Sequence, residues 1–243
     1  MNQTPLHSAH KSREAEMAEE GLWVVPKYYG DPSRVAAELE QLRTGAGIID
    51  LAQISTVTLA GPDARRFCNG MFTNNIKRLT PGQGNRNAMC DDRGRIQGLL
   101  DVYCTDHDSF LGVLEGVTGE WFEERYQLYI VFDDVQMTIH DGAPWVLSVQ
   151  GPKADAILSA AGLPCPAEPG QHLEADNGTR VCRKDRTGTG GVDLLIPDAA
   201  IIPTFDDLIN AGAEPVGHLA FEHARILAGR ARWPHDGSDK TLV

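Results

Sequence analysis

The chain has 243 residues and a mass of 26.4 kDa; 42% hydrophobic and 23% charged residues are typical of a globular protein able to bury a sizeable core. Its 34 acidic against 22 basic side chains leave a net charge of -12, which argues against nucleic acid or an anionic membrane as partner, since both require a basic face. No apolar run approaches the roughly 20 residues of a membrane span, and the polar start MNQTPLHSAHKSREAEMAEEG lacks a signal peptide's apolar core, so a cytoplasmic protein is expected.

In chain order, SRVAAELEQLRTGA over residues 33–46 places Val35, Leu39 and Leu42 at helical spacing behind a serine cap, with Gly45 and Gly47 closing the segment. IIDLAQISTVTLAG then alternates at Ile54, Val57 and Leu59, the pattern of a strand, before the turn at Gly61-Pro62. GPDARRFCNGMF restarts a helix with Pro62 at its entry and Phe67 and Met71 on one face. GRIQGLLDVYCT and SFLGVLEG read as strands around a turn at Asp106-His107-Asp108, followed by a helical EWFEERYQLYI and the strand VQMTIH. From Trp145 the strand, Gly-Pro turn and short amphipathic helix recur in WVLSVQGPKADAILSAAG. Strands in TRVCRKDR and GGVDLLIP and helices over IPTFDDLINAG and GHLAFEHARILAGR complete the chain.

TVTLAGPDARRF and VLSVQGPKADAI form a weak internal repeat about 90 residues apart, too long for a solenoid and suited to a duplicated half. The expected fold class is therefore α+β with mainly antiparallel sheets, in two sheet-and-helix halves over residues 1–140 and 141–243, the first with an N-terminal extension.

Few motifs carry chemistry. RTGTGGVDLLIP lacks the lysine of a P-loop and the third glycine of a dinucleotide fingerprint, and a strand follows where both need a helix. The five scattered cysteines suggest buried or half-buried thiols, and the eight histidines show no metal spacing, so surface or capping roles are expected of His7, His10, His218 and His223. Asp193 interrupts an apolar strand after a flexible turn: it either points into a cleft, where it accepts from a planar amidine-like edge, or faces solvent on an edge strand. Asp101 sits among Leu99, Leu100, Val102 and Tyr103, where an unpaired buried carboxylate would be costly, so the wet face of its strand is expected.

The blocks TPLHSAH, GLWVVPKYYG, LRTGAGIIDLAQISTVTLAGPDARRF and NNIKRLTPGQ, continued by VLSVQGPKA, RTGTGGVDLLIP and ARILAGRARWPHD, resemble the glycine-cleavage-system T-protein, a tetrahydrofolate-dependent aminomethyltransferase. The resemblance spans nearly the whole chain. It implies a folate-binding fold of two swapped α+β halves around a central cavity, with tetrahydrofolate as cofactor. By the same resemblance Asp193 matches the acidic residue that grips the pterin edge, and Arg225 matches an arginine on the folate side.

The departures are specific. Gly98-Leu99 stands where the aminomethyltransferases carry an Asp-Asp pair whose first member is their catalytic carboxylate, Glu115 replaces a folate-contacting asparagine, and Leu227 replaces an acid. Glycine cleavage by the family's mechanism is therefore not expected; Glu115 and Asp101 are the candidate replacement acid or base, and Glu115 also a folate contact. CDDRGRIQ and VLEGV look more like the folate-binding iron-sulfur-assembly relatives, but their Lys-Gly-Cys-Tyr-x-Gly-Gln segment does not occur here. The alternatives are a non-catalytic folate-binding accessory protein for iron-sulfur maintenance and a specialised enzyme using the cavity for another small molecule, for which Gly98, Leu99 and Leu227 make it more apolar. Both sets of relatives continue into a small C-terminal barrel that is not expected within this chain, so a separate barrel or another protein is a candidate partner beside the folate.

Overall fold

Alternating polarity and glycine-marked turns produce the following elements in the computed structural model, which describes residues 1–238 and 240–242. They are β1 (Asn2–Gln3), α1 (His7–Lys11), β2 (Ala15–Glu20), β3 (Trp23–Tyr29), α2 (Val35–Thr44), β4 (Gly47–Asp50), β5 (Thr56–Ala60) and α3 (Ala64–Met71). Next come β6 (Gly84–Cys90), β7 (Ile96–Asp106), β8 (Ser109–Glu115), α4 (Gly119–Gln127), β9 (Gln136–His140), β10 (Trp145–Gln150) and α5 (Ala154–Ala160). The remainder are β11 (His172–Glu174), β12 (Arg180–Arg183), β13 (Gly191–Ile196), α6 (Ile201–Asn210), β14 (Glu214–Pro215) and α7 (His218–Leu227). Among the described residues the strands form sheets ordered β1-β3-β2, β11-β12-β13-β10-β4-β14 and β6-β7-β8-β5-β9. Pairing is predominantly antiparallel, with β1–β3 and β4–β14 parallel, which makes the fold α+β.

The repeat legible in the sequence is also a repeat of geometry. Gly61 and Gly151 both end a strand at positive φ, 132° and 127°, and each carbonyl accepts from the amide three residues on, at 2.9 and 3.0 Å, to open α3 and α5. A Cβ at Gly61 would strike the Asp134 carbonyl, and one at Gly151 the Gly45 carbonyl; these are the same two oxygens that receive the amides of Asp63 and Lys153. Only glycine reconciles that backbone angle with so close a carbonyl. The carbonyls precede β9 and β4, which pair antiparallel with β5 and β10 in turn. Thus β4, which comes early in the chain, serves one sheet as β9 serves the other.

Chain contacts divide the molecule accordingly. One unit comprises Met1–Gln53, Ala143–Pro169 and Leu173–Arg230, and the other Ile54–Gly142, Gly170–His172 and Ala231–Val243. The first has a core of Ile48, Leu147, Val149, Val192, Leu194 and Ile196 against Phe205 and Leu208 of α6. The second buries Val57, Leu59, Leu100, Val102 and Leu114 against Phe67 of α3 and Phe122 of α4. Each such side chain contributes about 1.5–3 kcal/mol on leaving water.

Several expectations change. Asp31, rather than Ser33, makes the cap: its carboxylate accepts from the Ser33 amide and opens a short 3-10 turn ahead of α2. The single strand expected before Gly61 is two, β4 and β5, which serve different sheets. α4 ends at Gln127, short of Ile130, and leaves Leu128, Tyr129, Val131 and Phe132 exposed. β1, β2 and β3 form a further sheet, for which the polar N-terminal stretch carries no strand pattern.

Candidate functional site

In an antiparallel sheet, residues directly opposite and their diagonal neighbours share one face. Leu100, Val102 and Leu114 occupy the core face of β7 and β8, so Leu99, Asp101, Tyr103, Val113 and Glu115 occupy the other. Arg86 of β6 lies opposite Asp101 on that second face. Its guanidinium donates to Asp101 Oδ2 at 3.0 Å and to Glu115 Oε1 at 2.8 Å, and the Trp233 amide adds a bond to Glu115 Oε1 at 3.2 Å. The expectation that Asp101 lies on a wet face is corrected: its side chain is 8% exposed, because the cation makes burial of the carboxylate tolerable. Asp101 and Glu115 are therefore brought together, on one arginine.

Asp193 belongs to the other unit. Its strand β13 lies between β12 and β10, not at an edge, and its neighbours Val192 and Leu194 turn to the core, so Asp193 faces the opposite side. Cross-strand Ser148 donates to Oδ1 at 2.8 Å, and the buried Gln150 amide donates to Ser148 Oγ at 2.8 Å. Arg186 completes the arrangement with Nε at 2.9 Å from Oδ1 and Nη2 at 2.7 Å from Oδ2, a two-pronged charge-assisted contact. The loop that carries Arg186 is tied from both sides. Its amide donates to Gln150 Oε1 at 2.8 Å, while Asp185 accepts from the amides of Thr187 and Gly188 at 3.1 and 2.6 Å and from Arg230 at 2.6 Å. Burial pushes the Asp185 carboxyl up, but Arg230 and these amides outweigh it and hold it below the ordinary value.

Arg225 is buried on α7, where Nε and Nη2 meet Glu222 Oε2 at 2.9 and 2.6 Å and Nη1 meets the Arg230 carbonyl at 3.2 Å. Two of the histidines for which surface or capping roles are expected are buried and bonded across the fold instead. His10 contacts Asp50 Oδ2 through Nε2 at 2.9 Å and the Tyr29 hydroxyl through Nδ1 at 2.8 Å, and His218 Nε2 meets the Asp50 carbonyl at 2.7 Å. No local signal marks this set, because α1, β3, β4 and α7 supply one member each. Among the cysteines, Cys165 is exposed, against expectation. Among the described residues no cluster of His, Cys, Asp or Glu is placed to hold a metal ion.

The profile of the GCVT N-terminal domain matches residues 6–243. The chain belongs to that family. It is 29% identical over 250 residues to an aminomethyltransferase of Chlorobium luteolum, which covers 97% of this chain and 67% of that protein. It is also 29% identical over 249 residues to an aminomethyltransferase of a Parafrankia species, covering 100% of this chain and 67% of the relative. The fold matches the crystal structure of glycine cleavage system aminomethyltransferase T from Bartonella henselae with a TM-score of 0.92 at 23% identity, over 99% of this chain and 66% of that one. A more distant likeness is to a heterotetrameric sarcosine oxidase from a Corynebacterium species, with a TM-score of 0.52 at 17% identity over 86% of this chain and 94% of that one. The chain thus spans about two thirds of the length of the aminomethyltransferases it matches.

Within this member of the GCVT N-terminal domain family, Gly98 and Leu99 differ in what they face. A Cβ on Gly98 would lie 2.7 Å from Met89 Cε in the core cluster and 2.9 Å from Cγ1 of Val117, which packs against that cluster, whereas Leu99 shares the face of Asp101 and Glu115. A carboxylate at Gly98 would enter apolar packing. Among the described residues no helix is long and apolar enough to cross a membrane.

Proposed function

We propose that the chain binds a reduced folate and handles one-carbon units by methyl or methylene transfer, without the standard glycine-cleavage reaction. Asp193 carries this reading. It is a buried carboxylate whose two oxygens already face a planar pair of N–H donors, the kind of edge a pterin presents through its ring N–H and amino group. The names of the matched aminomethyltransferases support the same chemistry. Bound tetrahydrofolate would supply the amine nitrogens that carry the one-carbon unit. Asp193 is assigned to the pterin and Arg225, in the same unit, to the rest of the folate. Asp101 and Glu115 are the carboxylates available for proton transfer, and both accept from Arg86, so that role requires the Arg86 contact to open.

The lack of a carboxylate at Gly98 and Leu99 favours a second reading, a folate-binding accessory protein without turnover. Calorimetric titration of tetrahydrofolate and its 5,10-methylene and 5-methyl forms against wild type and Asp193→Ala tests both. Binding by wild type and its loss in Asp193→Ala are expected. Failure of both wild type and Arg186→Ala, which lacks the guanidinium on Asp193, to bind any of the three sinks the folate reading, and undiminished binding by Asp193→Ala removes that residue from the site. Binding without turnover across amine and methyl donors selects the accessory role.

A further inference from the structure

We infer that Arg186 is a built-in competitor at Asp193, a specificity-determining side chain whose guanidinium must leave the carboxylate before a pterin edge can take its place. The inference rests on the folate reading of Asp193.

The Asp193 side chain is 2% exposed and that of Arg186 9%, so the carboxylate is closed to an incoming ring while the pair is formed. Both oxygens are engaged: Oδ1 by Ser148 and Arg186 Nε, Oδ2 by Arg186 Nη2 and, at 3.1 Å, by Nε as well. The competing edges are chemically alike. A guanidinium presents two nearly parallel N–H donors on a planar CN3 unit, and the pyrimidine half of a pterin embeds the same unit as its ring N–H and exocyclic amine. One carboxylate cannot face both.

The backbone around Arg186 is held independently of the carboxylate, by Gln150 Oε1 at its own amide and by Asp185 at the two following positions. Exchange therefore asks for rotation of the Arg186 side chain rather than rebuilding of the loop. A ligand that lacks either donor cannot replace the two-pronged contact it must break, so the exchange selects for an intact amino-pyrimidine edge. If the open arrangement is populated in about one molecule in ten, the apparent affinity is lowered about tenfold.

The test is calorimetric titration of 5-formyltetrahydrofolate into the full chain as wild type, Arg186→Lys and Arg186→Ala. Arg186→Ala is expected to bind about tenfold tighter than wild type. Arg186→Lys should gain less, because an ammonium still neutralises Asp193 but cannot match the paired contact. N-ethylguanidinium at millimolar concentration should return the affinity of Arg186→Ala toward the wild-type value, while ethylammonium at the same concentration should not.

Wild type and folded variants binding equally, weaker binding by the variants, or no competition by N-ethylguanidinium would each overturn the inference while leaving the folate reading intact. No binding by wild type or either variant would overturn the folate reading itself. Should Arg186→Ala not fold, Arg186→Lys decides by the sign of its change.

Discussion

Arg86 and Asp101 stand directly opposite each other across the β6–β7 pair, with guanidinium Nη1 3.0 Å from carboxylate Oδ2. The same cation serves Glu115, so replacing it strands two carboxylates that are 8% and 10% exposed. Arg86→Met is expected to cost about 2–3 kcal/mol, less than for a fully buried pair because the Arg86 side chain is 34% exposed. Urea denaturation reads it, and the cost should shrink in an Asp101→Asn, Glu115→Gln background. An Arg86→Met protein as stable as wild type would show that the network contributes nothing.

Asp50 holds together a buried set that ties α1 to β4. Burial, with Asp50 and Glu38 adding to it, pushes the Tyr29 phenol well above its ordinary value, and the hydroxyl lies 2.8 Å from His10 Nδ1 while His10 Nε2 lies 2.9 Å from Asp50 Oδ2. Asp50→Ala removes the acceptor of both His10 and the Ala52 amide and should cost about 2–4 kcal/mol. Tyr29→Phe should cost about 1 kcal/mol. Denaturation midpoints that rank these two the other way would contradict the assignment.

A carboxylate introduced at Gly98 should be far more damaging than one at Leu99. Gly98→Asp drives a charge toward Met89 and Val117 and is expected to destabilise by about 3 kcal/mol or more. Leu99→Asp places it on the polar face beside Asp101 and Glu115, where like-charge repulsion and lost apolar contact should cost about 1–2 kcal/mol. Thermal melting of the two variants compares them, and equal losses would mean that the faces of β7 are misassigned.

Asp185 should leave a signature in acid. Its folded carboxyl lies below the ordinary value, so the folded state takes up this proton less readily than the unfolded chain. The stabilisation is present above the unfolded pKa of about 3.9 and is lost as the pH falls through the folded value. Asp185→Asn is therefore expected to be less stable than wild type near neutrality and to lose stability less steeply below about pH 4. A denaturation series over pH with parallel slopes for the two proteins would remove Asp185 as the source.

Much of the fold is written locally. The spacing of Val35 and Leu42, the alternation of β5 and β10 and the two Gly-Pro turns each act over a few residues, and the helices and strands they specify form. Where two local patterns adjoin, the sequence is less decisive. IIDLAQISTVTLAG reads as one strand, and what separates β4 from β5 is a choice of partner, β10 for the first and β8 with β9 for the second.

The candidate site shows the same division. Asp193 and Asp101 stand out because each interrupts an apolar run, and Glu115 and Arg225 because of a resemblance, but nothing near them names their partners. Arg186 lies seven residues from Asp193, Arg86 fifteen from Asp101 and Asp50 forty from His10. The sequence by itself determined the α+β class, the duplicated half and the positions at which a carboxylate interrupts an apolar strand, because these depend on neighbours along the chain. Only the tertiary structure decided that Asp101 is buried on Arg86, that Asp193 is closed by Arg186 and that Gly98 faces the core. Register brings Arg86 opposite Asp101 and the β12–β13 loop folds Arg186 back onto Asp193, and both are properties of strands brought together, not of any one strand.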